Sequence, residues 1–185
     1  MSDLPRCRWC LGDALYIHYH DHEWGKPLDN EHQLFELLCL EGQQAGLSWL
    51  TVLKKRSAYQ EHFFQFSIAE IAQLSDQAIL HKLEDKSLIR HKGKLFSIRD
   101  NAIAWQNLNR EIENIPLWLW SFVGGETIRN NVLDNTHIPS QTMASQNMSK
   151  ALKKHHFKFV GPTICYAFMQ ASGMVNDHEN LCIFK

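Results

Sequence analysis

No stretch of this 185-residue chain is apolar for the roughly 20 residues that a bilayer-spanning helix requires. The opening residues, MSDLPRCRWC, hold no apolar segment of the kind that directs secretion. Neither sign of charge is in excess: 19 Lys and Arg stand against 20 Asp and Glu, a net charge of −1. That excludes a uniformly basic nucleic-acid binder, though not a local basic face. Internal repeats and low-complexity segments are absent. There is no H-E-x-x-H, and no H-x-E followed by a distant P-C-x-x-C, so the common zinc-protease and zinc-deaminase signatures are missing. Five cysteines without an export signal are expected to remain reduced thiols in the cytoplasm.

What is present has the balance of an ordinary soluble domain, with 44% hydrophobic and 21% charged residues. The pattern predicts one all-α domain over residues 1–185. Asn30 with Gln33, and Ser67 with Glu70, have capping-box spacing. Pro116 suits the first turn of PLWLWSFV. Leu95, Ile98, Ala102 and Trp105 recur at helical period, as do Leu47, Leu50 and Leu53. The glycines of EGQQAG are expected to interrupt the helix that begins near Glu31. Residues 7–25 and 175–185 show no helical pattern, and residues 112–146 carry no motif. Two basic stretches, KSLIRHKGKLFSIR and KALKKHHFK, offer a local positive face or simply solvated helix surfaces.

The two ends without pattern hold good zinc ligands. Cys7 and Cys10 have C-x-x-C spacing, His18, His20 and His22 alternate, and His178 and Cys182 lie four apart. Two ligands from each end would close a tetrahedral structural site, while a redox pair and surface histidines are the competing readings. A second feature is ALKKHHFKFVGPTICYAFMQASG, which reads as helix, short apolar turn and helix. Gly161 is expected to provide the tight backbone. Free amides at the second helix's start, beside Lys153, Lys154 and Lys158, would suit a phosphate. An ordinary antiparallel helix pair fits the same residues. A third is CLEGQQAGLSWLTVLKK. There Glu41 sits among apolar neighbours, and a buried carboxylate must be paired, hydrogen-bonded or functional.

These segments together resemble the 3-methyladenine DNA glycosylase I family. The matching stretches are RCRWC, YIHYHDHEWG, LFELLCLEGQQAGLSWLTVLKKR, IRHKGK, SKALKKHHFKFVGPTICYAFMQASG and VNDHENLC, in the family's order along nearly the whole chain. The resemblance implies a helix-hairpin-helix glycosylase fold with one structural zinc tying residues 1–25 to 175–185. By matching position its ligands are Cys7, His20, His178 and Cys182, with Cys10 the main competitor.

It also implies excision of 3-methyladenine from alkylated double-stranded DNA. Glu41, Tyr19, Trp49 and Trp9 match the base pocket, and Gly46 and Leu47 the loop that meets the gap in the duplex. Gly161 and Thr163, beside Lys158, match the phosphate-holding turn. Asp177 is the one acid near the place where related enzymes carry a catalytic Asp, and a capping role suits it better. Pro162 and Thr163 stand where strand-cleaving relatives carry a Lys, so base release without lyase activity is expected. A cytoplasmic monomer with no membrane association and no protein partner completes the expectation.

Overall fold

The computed structural model describes residues 5–185. A short 3-10 turn, Arg8–Cys10, leads into α1 (Ala14–His22). Then come α2 (Glu31–Gln44), α3 (Trp49–Leu53) and α4 (Arg56–Tyr59), the last continuing into a π turn at Gln60–Phe64. Helices α5 (Ile68–Ala72), α6 (Asp76–Lys82), α7 (Lys92–Leu108) and α8 (Ile115–Ser121) follow. A two-residue strand β1 (Ile128–Arg129) precedes α9 (Met143–Lys154), α10 (Pro162–Ala171) and β2 (Val175–Asn176). No helix among the described residues is long and apolar enough to cross a membrane.

Helix starts follow side-chain chemistry. Ser67 and Glu70 form a reciprocal capping box, the Glu70 amide donating to Ser67 Oγ at 3.2 Å and the Ser67 amide to Glu70 Oε2 at 2.8 Å. Asn30 accepts the Gln33 amide at 3.0 Å, and Asn114 accepts that of Leu117 with Pro116 in the first turn. Helix α2 packs against both α7 and α10. Its buried Phe35 meets Trp105 of α7 edge-to-face at 5.4 Å, and the Trp105 indole N–H donates to Glu31 Oε1 at 2.7 Å. Leu95, Ile98, Ala102 and Trp105 form the buried face that their spacing predicts.

Five expectations change. Residues 14–22 are helical. Their buried residues are Tyr19, His20 and Asp21, which have no apolar period, and Asp13 caps the start by accepting the Leu15 amide at 2.9 Å. Helix α2 runs through Gly42 rather than stopping there. A Cβ at Gly42 would lie 3.1 Å from Phe159 Cβ, so the glycine admits the α9–α10 turn. Leu47 lies outside α3 and is 42% exposed, while the buried face of α3 is Trp49, Val52 and Leu53. The turn between α9 and α10 takes its left-handed backbone at His156 and Phe159, whereas Gly161 has an ordinary φ of −63°. Finally, the fold is mostly rather than wholly helical. β1 and β2 pair in parallel, Ile128 opposite Val175, which binds the motif-free segment to the C-terminal end.

Gly173 ends α10 with φ +74°, and a Cβ there would lie 2.3 Å from the Lys26 carbonyl carbon. Gly173→Ala is therefore expected to cost about 3 kcal/mol, from left-handed strain plus backbone displacement. Chemical denaturation of the variant measures this directly, and a cost below about 1 kcal/mol would contradict the close approach.

Candidate functional site

A cavity of about 300 Å³ opens between α1, α2, α10 and the segment before α9. That volume is at the small end of ligand pockets and suits one nucleobase-sized molecule. Glu41, in the last turn of α2, lines it and is 2% exposed. Its Oε2 has no hydrogen-bond partner. Burial alone pushes the Glu41 carboxyl up to about 8. A cation from the first basic stretch, Lys94, reaches this helix end, but it is committed to backbone carbonyls. It is buried, and its ammonium donates to the Gln43 and Ala45 carbonyls at 2.8 and 2.6 Å, capping α2. Lys94 is thus structural rather than part of a phosphate-binding face.

The other walls are aromatic. Trp49, placed by the Ser48 cap of α3, lies 5.5 Å from Tyr19 between ring centroids, and its indole N–H is buried without a partner. Trp9 packs edge-on against Tyr16 at 4.8 Å and Trp24 at 4.9 Å. Burial and the neighbouring Glu41 raise both Tyr16 and Tyr19 above the ordinary phenol value, so their hydroxyls stay protonated near neutrality. All four pocket residues named from the sequence, Glu41, Tyr19, Trp49 and Trp9, line this one cavity. Tyr16, Trp24, Gln44, Asn135, Ile138, Ala167 and Gln170 also line it and were not expected. Tyr16 lies one helical turn before Tyr19, a signal that required α1 to be read as a helix. Asn135 and Ile138 come from the motif-free segment and gave no signal. Tyr19 and Trp49 also form part of a second cavity of about 300 Å³, lined by Glu23, Glu36 and Arg56.

Beside the pocket lies a buried cluster of potential metal ligands. Ligand atoms of Cys7, His20 and Cys182 all fall within 4.8 Å of one another. Cys182 Sγ is 3.5 Å from His20 Nε2. His20 Nδ1 pairs with Asp21 Oδ1 at 2.8 Å, and Arg6 clamps Asp21 from the other side, so Nε2 is the nitrogen left for a metal. His178 stands beside the cluster, its ring 5.0 Å from that of His20. Its Nδ1 pairs with Asn176 Oδ1, and its Nε2 is buried without a partner. Cys10 is buried, donates its thiol to the Cys7 carbonyl at 3.1 Å, and is not among the mutually close ligand atoms. His18 and His22 are exposed and pack on each other. The His20 ring also contacts Trp9 at 5.3 Å, which links cluster and cavity directly.

The remaining sequence candidates lie apart from the cavity lining. Gly46, with φ +75°, and the exposed Leu47 form the tip of the α2–α3 loop. Gly161 precedes α10 without any side-chain cap, Thr163 is exposed in its first turn, and the Lys158 side chain is exposed beside them. Asn101 holds the Lys158 backbone, accepting its N–H at 2.7 Å. Asp177 is buried and accepts from Asn130, Tyr166 and Gln170 at 2.7, 2.6 and 2.8 Å, the arrangement of a structural acceptor.

Residues 9–185 match the methyladenine glycosylase family. The DNA-3-methyladenine glycosylase of Haemophilus influenzae is 49% identical, with 97% of each chain covered. DNA-3-methyladenine glycosylase 1 of Escherichia coli is 47% identical over 97% of this chain and 96% of its own. Among solved structures, a 3-methyladenine DNA glycosylase I superposes with a TM-score of 0.94 at 48% identity, covering 97% of this chain and 98% of that one. The Staphylococcus aureus enzyme, described for its recognition of 3-methyladenine, gives 0.94 at 34% identity, covering 100% and 98%. On this agreement in sequence, length and backbone, the chain belongs to the methyladenine glycosylase family.

Proposed function

We propose that this protein is a DNA-3-methyladenine glycosylase, which extrudes the damaged base from duplex DNA and hydrolyses its glycosidic bond without cutting the strand. The observation that carries this reading is Glu41, a buried carboxyl without a partner in an aromatic cavity of nucleobase size. N3-methylation makes adenine cationic. The electron pair of the glycosidic bond passes to the base, which leaves neutral, while water supplies hydroxide to the sugar C1′ and releases a proton. Such a leaving group needs little protonation, so the enzyme's work is selection and placement. Extrusion costs a few kcal/mol, least for a damaged base.

The aromatic face of Trp49 favours a cationic over a neutral base by about 0.5–2 kcal/mol. Glu41 accepts from the exocyclic amine and, once ionised, balances the positive charge. Tyr19 fixes orientation through its hydroxyl. Leu47, at an exposed glycine-hinged tip, suits a wedge that fills the gap in the stack. The uncapped start of α10 at Gly161 and Thr163, beside Lys158, suits a backbone phosphate, as in a helix-hairpin-helix.

A structural zinc fits the ligand cluster. Zinc–sulfur and zinc–nitrogen bonds of about 2.3 and 2.05 Å make a tetrahedral S···N edge of about 3.5 Å, the spacing found between Cys182 and His20. The unpartnered Nε2 of His178 is the natural fourth ligand after Cys7, His20 and Cys182. The metal would hold the two ends of the chain together and keep α1, with Tyr16 and Tyr19, against the pocket.

Incubation with methylated duplex DNA, followed by chromatography of released bases and gel analysis of the strand, tests the reading. Free 3-methyladenine and an intact abasic strand are expected. Failure of the folded, zinc-loaded protein to release any methylated purine would sink it.

A further inference from the structure

The base cavity has a second polar wall, on α10. Gln170 lines it, and the Gln170 Nε2 amide donates to Asp177 Oδ2 at 2.8 Å. A carboxylate only accepts, so this bond determines which way the amide is turned. Asp177 is itself immobilised. It is 1% exposed, Tyr166 donates to the same oxygen at 2.6 Å, and Asn130 donates to the other at 2.7 Å. The Gln170 carbonyl oxygen is bonded by no donor among the described residues. The Gln170 side chain is half-buried and lines the cavity, with its amine end committed to Asp177.

We infer that Gln170, held by Asp177, presents a fixed hydrogen-bond acceptor to the bound base and so selects purines bearing a 6-amino group over those bearing a 6-oxo group. The inference rests on the reading of this cavity as the base pocket. An exocyclic amine has two hydrogens, and the cavity offers two acceptors from different helices, Glu41 on α2 and Gln170 on α10. A 6-oxo base turns an acceptor toward the Gln170 carbonyl, which has no proton to offer, whereas Glu41, protonated up to about 8, can donate to it. A site built to bond a donor rejects the analogue without it because its own polar group is then left unpaired. Asp177 acts here as a positioning residue: it keeps the Gln170 amide from turning over.

The test compares two free bases, 3-methyladenine and 3-methylhypoxanthine, by calorimetric titration. Wild-type protein is expected to prefer the first. Gln170→Met keeps the length and removes the acceptor, and is expected to weaken 3-methyladenine binding about 5–10-fold while leaving 3-methylhypoxanthine little changed. Asp177→Asn, checked for zinc content and folding, lets the Gln170 amide turn over and should shrink the preference further. If Asp177→Asn does not fold, Gln170→Met decides alone. Equal weakening of both bases, or of neither, overturns the inference. So does slower base release with unchanged free-base affinity, which would make Gln170 a water-holding group. A wild type that neither binds nor releases 3-methyladenine overturns the base-pocket reading itself, whereas an active wild type with an indifferent Gln170→Met overturns only the inference.

Discussion

Glu41→Gln is expected to lower kcat/KM for 3-methyladenine release by about 100-fold, the worth of a hydrogen bond to a charged group plus its balancing charge. Duplex binding should change little, because the proposed phosphate and wedge contacts lie at Gly161, Thr163, Lys158 and Leu47. A DNA-binding module without activity would show no such separation. The pH dependence sharpens the test. Burial holds Glu41 near 8 in the free protein, so wild-type kcat/KM should rise with pH through about 8 as the carboxylate forms. A bound cationic base favours ionisation, so kcat should reach its plateau at lower pH. Glu41→Gln should lack this rise altogether, and a variant that keeps it would assign the titration elsewhere.

The same substitution should make the protein more stable. Glu41 carries its proton up to about pH 8 in the folded state, but only to about 4.3 when unfolded. Between these values the native state binds more protons than the unfolded state, so this group's contribution to stability falls as pH rises. The slope is about 1.4 kcal/mol per pH unit at most. Relative to Glu41→Gln, wild type should lose a few kcal/mol between pH 4.5 and 8, with no further divergence above. Denaturation of both proteins at pH 5 and pH 8.5 measures it. A carboxyl that costs stability while lacking any partner is explained by what it does for a ligand.

Cys182→Ser carries the second large effect. It should remove bound zinc, measured as metal per chain by elemental analysis. It should also lower Tm by roughly 10 °C, corresponding to about 3–5 kcal/mol in a chain of this size. Chelation of the wild type should produce a similar loss, and chelation of the variant almost none. His18→Ala and His22→Ala should leave both metal and Tm unchanged, since those rings are exposed. A wild type without metal, indifferent to a chelator, would remove zinc from the reading. The alternating histidines thus separate by helix geometry. On α1 successive residues point about 100° apart, so His20 turns to Cys182 while Tyr19 turns to Trp49.

Much of this protein was legible without coordinates. Helices with an apolar period, such as α7, and those with capping chemistry, such as α5 and α8, follow from local rules that act within one or two turns. Apolar periodicity and capping residues sufficed to predict a mostly helical chain, and the family resemblance pointed to Glu41, Tyr19, Trp49 and Trp9, which line one cavity, and to the four zinc ligands proposed above. Helix α1 escaped because two of its three buried residues, His20 and Asp21, are polar and are satisfied by partners such as Arg6.

Tertiary structure decided the rest, wherever a residue's state depends on neighbours distant in sequence. Gly42 sits inside helix α2, where Phe159, more than a hundred positions later, occupies the space beside its missing Cβ. Lys94 is a buried cap rather than a phosphate contact because the end of α2 lies against it. Asn135 and Ile138 reach the cavity from a segment that β1–β2 pairing ties down. Residue types and their spacing therefore identified the chemistry available to this chain. Packing decided which carboxyl lost its water, which amide was locked, and which histidine faced the cysteines, because desolvation and hydrogen-bond pairing are properties of surroundings that only the folded chain assembles.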